Sequence, residues 1–408
     1  MYTVILNCRA CQSPSLKEVF DLGHHALSGR FPKNDEPDAP VGPVLLVVCE
    51  ECGLGQLAHK YEQDELYRHG YGYRSGINKT MSEHLLNLVD DALARCNVGS
   101  GDVVLDIGSN DATLLNCYKD IGVQRIGMDP TITQYCDYYS DDILVVANYF
   151  SADSFAAIAP SRAKIITSIA MFYDLSDPNK FVADIAASLT KDGLWILELC
   201  YAKTMIELNT FDTICHEHAA YYGLKQIVNM VLTHGLCVCD VSFNDVNGGS
   251  FRIYVCHQGA DYPVSDNVNK TLIAEAEFKL GSAEKYIEFR DSVDLQMNAL
   301  RDLVSSLKSK GKSIYAYGAS TKGNMLLQYC GFTSTEIEAA VERNPVKWGC
   351  RTPGTNIPII SEAEAREQKP DYLLVLPWHF RDEFIEREVD YLSNGGHMIF
   401  PLPFVEVV

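Results

Sequence analysis

The sequence predicts an α/β protein: a Rossmann-like cofactor domain with a small cysteine-paired module before it and a second Rossmann-like domain after it. Three observations carry this. Residues 103–115 read V-V-L-D-I-G-S-N-D-A-T-L-L, an apolar β-branched run, one glycine and then helix-starting polar residues, the pattern of a strand, a tight turn and a helix N-terminus. Strand-like runs alternate with helical patterns on either side of it, which favours a mostly parallel sheet. Cys8-x-x-Cys11 and Cys49-x-x-Cys52 stand apart from both patterns.

The bulk numbers bound the class. With 408 residues, 47% of them hydrophobic, the chain is long enough for two or three domains with their own cores. A net charge of −20, from 54 acidic against 34 basic residues, argues against a sequence-independent hold on nucleic-acid phosphates or anionic lipid. Residues 1–10 lack a charged segment followed by an apolar core, and no apolar run approaches the roughly 18 residues of a membrane span. The expectation is a cytoplasmic protein, monomeric or homodimeric, whose fourteen cysteines serve as thiols and metal ligands rather than disulfides.

In chain order, each cysteine pair forms a tight knuckle, and two knuckles give the tetrahedral S₄ set that Zn²⁺ favours. The expected ligands are Cys8, Cys11, Cys49 and Cys52, in a closed site with no open position for chemistry; the alternatives are a redox dithiol and four unrelated buried thiols. The insert between the pairs, with its polar run 33–38 and Gly42-Pro43, reads as a hairpin-like excursion. Residues 61–81, rich in tyrosine and glycine, read as a connector over the next domain, where Tyr71 and Tyr73 either roof a pocket or pack between domains. A helix is expected over 82–94.

The loop after residue 107 narrows the cofactor. A dinucleotide fingerprint needs three spaced glycines, but here Gly108 stands alone, preceded by Asp106 and followed by Ser109, Asn110 and Asp111. Such a loop repels a phosphate and accepts a cationic cofactor, of which S-adenosylmethionine (SAM) is the common one. The next apolar run, 125–128, ends at Asp129-Pro130, where a carboxylate can accept both ribose hydroxyls. Strands follow at 143–146, leading to Asn148 and Phe150 as an adenine seat, and at 164–169, with Ser168 at its carboxyl end. A helix starts at Asp177-Pro178 and runs through Leu189; Lys191-Asp192-Gly193 is then a turn before a strand over 194–199. Asp106, Gly108 and Asp129 together resemble the class I SAM-dependent methyltransferases.

Residues 211–224, F-D-T-I-C-H-E-H-A-A-Y-Y-G-L, place three ionisable groups in a row. In an extended segment His216 and His218 face one way and Glu217 the other. A histidine takes up a proton near neutral pH, as carbon methylation beside a ketone requires. Alternatives are a His-x-His metal site and a structural histidine pair.

After a polar, helical stretch over 261–310, strands are expected at 313–317, 336–341, 371–376 and 397–400. Between the first two, Gly318–Gly323 is a turn in which Ser320, Thr321 and a helix N-terminus suit a diphosphate and Lys322 adds charge; the alternative is a domain with no ligand of its own.

The four cysteines, V-L-D-I-G-S-N-D, D-T-I-C-H-E-H-A-A-Y-Y and N-G-G-S-F-R-I-Y-V at 247–255 together resemble the sugar C-methyltransferases, which act on nucleotide-linked keto-deoxysugars. The resemblance covers nearly the whole chain. It implies a zinc module (1–75), a SAM domain (76–260) and a C-terminal domain (261–408) that helps hold a nucleoside-diphosphate sugar. It makes His218 the base, with Glu217 and His216 beside it; Glu217 and Tyr222 are expected to orient the substrate or stabilise the enolate, and Tyr71, Tyr73, Tyr173, Tyr221, Asn247, Ser320, Thr321 and Lys322 are the expected substrate contacts. Cys215 stands where many members carry tyrosine, and Met171-Phe172-Tyr173 where a family histidine lies. The expected reaction is methylation α to a ketone through an enolate. O- or N-methylation of a sugar or small metabolite, and a non-catalytic zinc-containing scaffold, are the rival readings.

Overall fold

The structure, a computed structural model, describes residues 2–67 and 73–408. Among these, the largest sheet has seven strands in the order Leu236–Asn244, Ser250–His257, Leu189–Cys200, Ala163–Ile169, Val103–Ile107, Gln124–Met128, Ile143–Val146. The five strands from Leu189–Cys200 onward are parallel, and the pair at the other edge is antiparallel. Every residue of Val103–Ile107 is buried, as a central strand covered on both faces requires. One covering helix, Lys79–Arg95, buries Leu85, Leu88, Val89 and Ala92 at helical spacing; the Asn78 side chain accepts from the Thr80 amide at its start.

Two details of this sheet depart from the sequence reading. The helix Pro178–Ser188, capped by Asp177, ends one residue before Leu189. The expected turn at Lys191-Asp192-Gly193 lies within a strand, Leu189–Cys200, because a register shift between Leu189 and Leu194 absorbs the extra residues. A Cβ at Gly193 would stand 2.9 Å from the Lys164 carbonyl, so the irregularity needs a glycine there.

The N-terminal strands Leu16–Ala26, Val41–Cys49 and Gly55–Leu57 form an antiparallel sheet completed by Ala220–Tyr221 from the middle of the chain. Gly42-Pro43 lies inside Val41–Cys49 rather than at the reversal; Pro43 donates nothing to the ladder, and its carbonyl accepts from the Tyr61 hydroxyl at 2.6 Å.

The C-terminal sheet has six strands in the order Ile359–Ser361, Ala340–Glu342, Ile314–Tyr317, Tyr372–Val375, His397–Phe400, Glu406–Val407, all parallel except the last. The strand expected over 336–341 begins only at Ala340. A 27-residue helix, Ala283–Ser309, buries Tyr286, Phe289, Val293, Met297, Leu300, Val304 and Leu307 along one stripe. Phe289 meets Phe20 edge to face at 6.0 Å, so the N-terminal and C-terminal sheets share one apolar core through this helix. No helix among the described residues is long and apolar enough to cross a membrane.

Candidate active site

A cavity of about 490 Å³ opens at the carboxyl ends of the parallel strands, where open α/β sheets bind ligands. Its wall includes Asp106, Gly108, Ser109, Asn110, Asp129, Pro130, Asn148 and Phe150, eight of the ten positions the sequence nominated for a cofactor. Gly108 takes a left-handed turn (φ +77°), and a Cβ there would press on Met171 at 3.2 Å. The Asp129 carboxylate is aimed by three bonds: the Asn110 amide (2.9 Å), the Thr131 amide (2.6 Å) and the Thr131 hydroxyl (2.6 Å). Asp106 accepts from the Thr167 hydroxyl at 2.6 Å. Burial, with the Asp129 charge adding to it, pushes Asp106 up to about 7. This acidic wall, without a phosphate cradle, suits a cationic cofactor such as SAM.

The other two nominated positions face elsewhere. Asp111 fastens the connector over the cavity: its carboxylate accepts from the Gly76 amide at 2.9 Å and lies 3.4 Å from the Arg74 guanidinium. Ser168 is fully buried and accepts from the Trp195 indole at 3.2 Å, a core contact. Tyr73 and Asn247 line the cavity; Tyr71 lies outside the described residues.

Sequence reasoning missed Glu198 and Asp174 on the same wall. Glu198 accepts from Arg252 (2.8 Å) and Asn244 (3.1 Å) and pairs with His84 (2.5 Å). Burial pushes its carboxyl up, but these partners outweigh it and hold it below the ordinary range. The four residues are scattered from 84 to 252, so no local motif announces them. Asp174 is pushed well up by burial. Its only sequence signal was its place just past a strand end.

The chain from Ile214 to Ala219 is a turn, closed by the His218 amide on the Cys215 carbonyl at 3.1 Å, so the expected extended alternation does not hold. The three side chains diverge. His216 bonds the Gly42 carbonyl at 3.2 Å, with its ring against Tyr61; burial pushes it down to about 4. Glu217 accepts from the Ser28 hydroxyl (3.3 Å) and the Gly29 amide (3.0 Å), and burial pushes it up. His218 meets the Thr213 carbonyl through Nδ1 at 2.7 Å. A carbonyl only accepts, so Nδ1 carries the proton and Nε2 keeps its lone pair. Burial and the Lys322 charge push His218 down to about 3.

Neither His218 nor Tyr173, whose rings lie 4.4 Å apart, is on the cavity wall, which passes through the neighbouring Met171 and Asp174. Tyr221 donates to the His218 carbonyl at 3.1 Å. Tyr222 turns the other way: it is fully buried against Phe172, near Cys8 and Cys52, and cannot reach a substrate beside His218. Ser320 is used as the cap of the helix Thr321–Cys330, accepting from Gly323 at 3.1 Å. Thr321 lies beside Gly29, and Lys322 donates to the Asn247 carbonyl at 2.8 Å, which brings the C-terminal domain to the cavity wall.

The four nominated cysteines converge, with all Sγ atoms within 4.8 Å of one another. The Cys8–Cys52 and Cys11–Cys49 separations are 3.6 and 3.5 Å. A tetrahedron with Zn–S bonds of about 2.3 Å has edges of about 3.8 Å, so the thiols fit a structural zinc with little movement. The Cys8–Cys52 contact draws the Cys8 thiol downward and pushes that of Cys52 upward, as two thiols sharing one proton do. Gln226 donates to the Cys52 carbonyl at 2.8 Å, and Gly55–Leu57 pairs with Ala220–Tyr221, coupling these knuckles to the turn that carries His218.

Comparison with known proteins agrees with this three-part site. Family models match in succession: a zinc binding domain over residues 8–67, a methyltransferase domain over 77–241 and a C-methyltransferase C-terminal domain over 245–403. The chain is similar to the C-methyltransferase NovU of Streptomyces niveus, with 32% identity over 406 residues, covering 98% of this chain and 96% of that protein. Among solved structures, the N-methyltransferase NodS of Bradyrhizobium japonicum in complex with S-adenosyl-L-homocysteine aligns at 14% identity and a TM-score of 0.33, covering 44% of this chain and 88% of that one. The 1,6-didemethyltoxoflavin-N1-methyltransferase of Burkholderia thailandensis aligns at 12% identity and a TM-score of 0.34, covering 45% and 80%.

Proposed function

The chain belongs to the C-methyltransferase family and is a SAM-dependent methyltransferase; from that premise we propose that it methylates the carbon α to the ketone of a nucleoside-diphosphate keto-deoxysugar. When bound, SAM supplies the methyl group as an electrophile.

The chain's own residues divide the remaining work. Asp106 and Asp129 hold the cofactor, the first beside its positive charge and the second at the ribose hydroxyls. Asn148 and Phe150 enclose the base. His218 removes the α proton through Nε2, leaving an enolate whose carbon becomes the nucleophile. Thr213 keeps the imidazole in the tautomer that can accept that proton, and Glu217, tied to Ser28 and Gly29, holds the turn in place. Tyr73 and the Lys322–Asn247 contact bound the sugar side of the cavity.

One observation carries the reading: Nδ1 of His218 is bound to the Thr213 carbonyl at 2.7 Å, which leaves the lone pair of Nε2 to accept a proton. The test is incubation with SAM and a thymidine diphosphate 4-keto-6-deoxyhexose, with NMR of the product. A methyl signal on a ring carbon is the expected result. Methyl on oxygen or nitrogen overturns the carbon-acid step and leaves the general activity intact.

A further inference from the structure

The turn before His218 leads to a second group of buried polar atoms. Thr213, which holds the base, follows Asp212, a carboxylate only 1% exposed. Oδ2 of Asp212 accepts from the Trp378 indole at 2.9 Å, whereas Oδ1, equally enclosed, has no partner. His379 comes next after Trp378, their rings 5.5 Å apart, and its Nδ1 is likewise buried without a partner. The Lys322 ammonium is close enough to His218, Asp212 and His379 to act on the charge of each.

These groups come from distant parts of the chain: 212 and 218 from the methyltransferase half, 322 and 378–379 from strand ends of the C-terminal sheet. Lys322 meets Asn247, on the cavity wall, and the Trp378 ring would lie 3.3 Å from a Cβ at Gly248. Lys322 and Trp378 therefore reach Asn247 and Gly248 at the rim of the cofactor cavity, with Asp212 and His379 behind them and off its wall. A buried acceptor and a buried ring nitrogen, both unmet by protein, are a costly arrangement unless something else supplies the bonds.

We infer that Asp212 and His379 are substrate-binding residues that hold hydroxyl groups of the sugar ring beside His218, an inference that rests on the keto-sugar reading above. Burial pushes the Asp212 carboxyl up, so Oδ1 meets a hydroxyl as acceptor when ionised and as donor when it keeps its proton. His379, pushed down to about 3 by burial and the Lys322 charge, is a neutral imidazole and meets a hydroxyl as donor or acceptor according to its tautomer. A neutral polyol ring fits both atoms, whereas a diphosphate fits neither the carboxylate nor an uncharged histidine as well as it fits Lys322.

Asp212→Asn tests the assignment with little change of shape. The amide oxygen retains the Trp378 bond, so the NH₂ group replaces the ligand-facing acceptor of the ionised carboxylate with a donor. His379→Leu removes the second partner, and His379→Asn restores a polar atom near the position of Nδ1. Binding of the thymidine diphosphate 4-keto-6-deoxyhexose, of thymidine diphosphate alone and of SAM is measured by calorimetry for the wild type and each variant, alongside wild-type turnover. Tenfold or greater weakening of the nucleotide sugar in Asp212→Asn and His379→Leu, partial recovery in His379→Asn, and thymidine diphosphate and SAM within twofold of wild type are expected. Equal weakening of the sugar nucleotide and the free nucleotide, a parallel loss of SAM binding, or unchanged sugar binding overturns the assignment. Wild-type binding without C-methyl product breaks the functional reading and leaves this one standing. Turnover with unweakened variants does the reverse, and a wild type that does not bind the nucleotide sugar removes both.

Discussion

The Gly29 amide donates to Oε1 of Glu217 at 3.0 Å, and a Cβ at Gly29 would stand 2.6 Å from that same oxygen. A loop of the N-terminal sheet thus holds, by close approach, the turn that carries His218. Gly29→Ala forces the carboxylate away and leaves a buried acceptor short of a donor, a cost of about 1–3 kcal/mol. The expected outcome is a lower unfolding midpoint and reduced turnover with SAM affinity within twofold of wild type, read by thermal unfolding, initial rates and calorimetry. Unchanged turnover would separate Glu217 from the work of its neighbour.

The cysteine knuckles are tied to the turn at His218 through a strand pairing. Cys49→Ser removes one of four thiolates, and metal analysis should show less than one zinc per chain where the wild type retains one. Because Gly55–Leu57 pairs with Ala220–Tyr221, loss of the knuckles loosens the turn at His218. Turnover and unfolding temperature fall together while SAM, bound at the far strand ends, still binds. Full zinc retention by the variant would contradict the S₄ assignment.

A base at His218 should leave a mark in the pH profile. An unperturbed histidine titrates near about 6.5, and His218 is pushed down to about 3 by burial and by Lys322. A lowered value means that the neutral, proton-accepting form persists as pH falls through 6.5. At saturating SAM, kcat carries no histidine inflection near 6.5 and stays flat to about pH 5. Imidazole ¹⁵N shifts titrating near 6.5, assigned with His218→Asn, would contradict this.

Asp106 has the opposite shift. Burial and the Asp129 charge raise it to about 7, so it is neutral below that value and ionised above it. A cationic cofactor favours the ionised form, and binding releases a proton. SAM affinity therefore rises with pH through 7, by about tenfold between pH 6 and 8. Asp106→Asn removes the slope, and calorimetry in two buffers of different ionisation enthalpy counts the proton. A wild-type affinity that is flat over this range would place Asp106 away from the cofactor charge.

What the sequence disclosed was local. The strand at 103–107, its glycine turn and Asp129 were legible because periodicity and loop chemistry act over a few residues; the cysteine pairs were legible because a knuckle needs two thiols three positions apart. The strand over 189–200 was misread at Lys191–Gly193, since turn residues and bulge residues are the same types. The His216–Glu217–His218 alternation failed because the chain reverses there, and Tyr222, just past the strand Ala220–Tyr221, turns into the core. Glu198, with His84, Asn244 and Arg252, and the Asp212–Trp378–His379 group are tertiary constellations, assembled from segments that share no spacing rule.

Proton removal from carbon is the step that separates this account from other methyl transfers. The most direct measurement is exchange of the sugar's α proton in D₂O with S-adenosylhomocysteine in place of SAM, followed by NMR for the wild type and His218→Asn. The account predicts deuterium at the carbon adjacent to the ketone with the wild type and background exchange with the variant. Equal exchange by both proteins, or C-methyl product retained by His218→Asn with SAM, would contradict it.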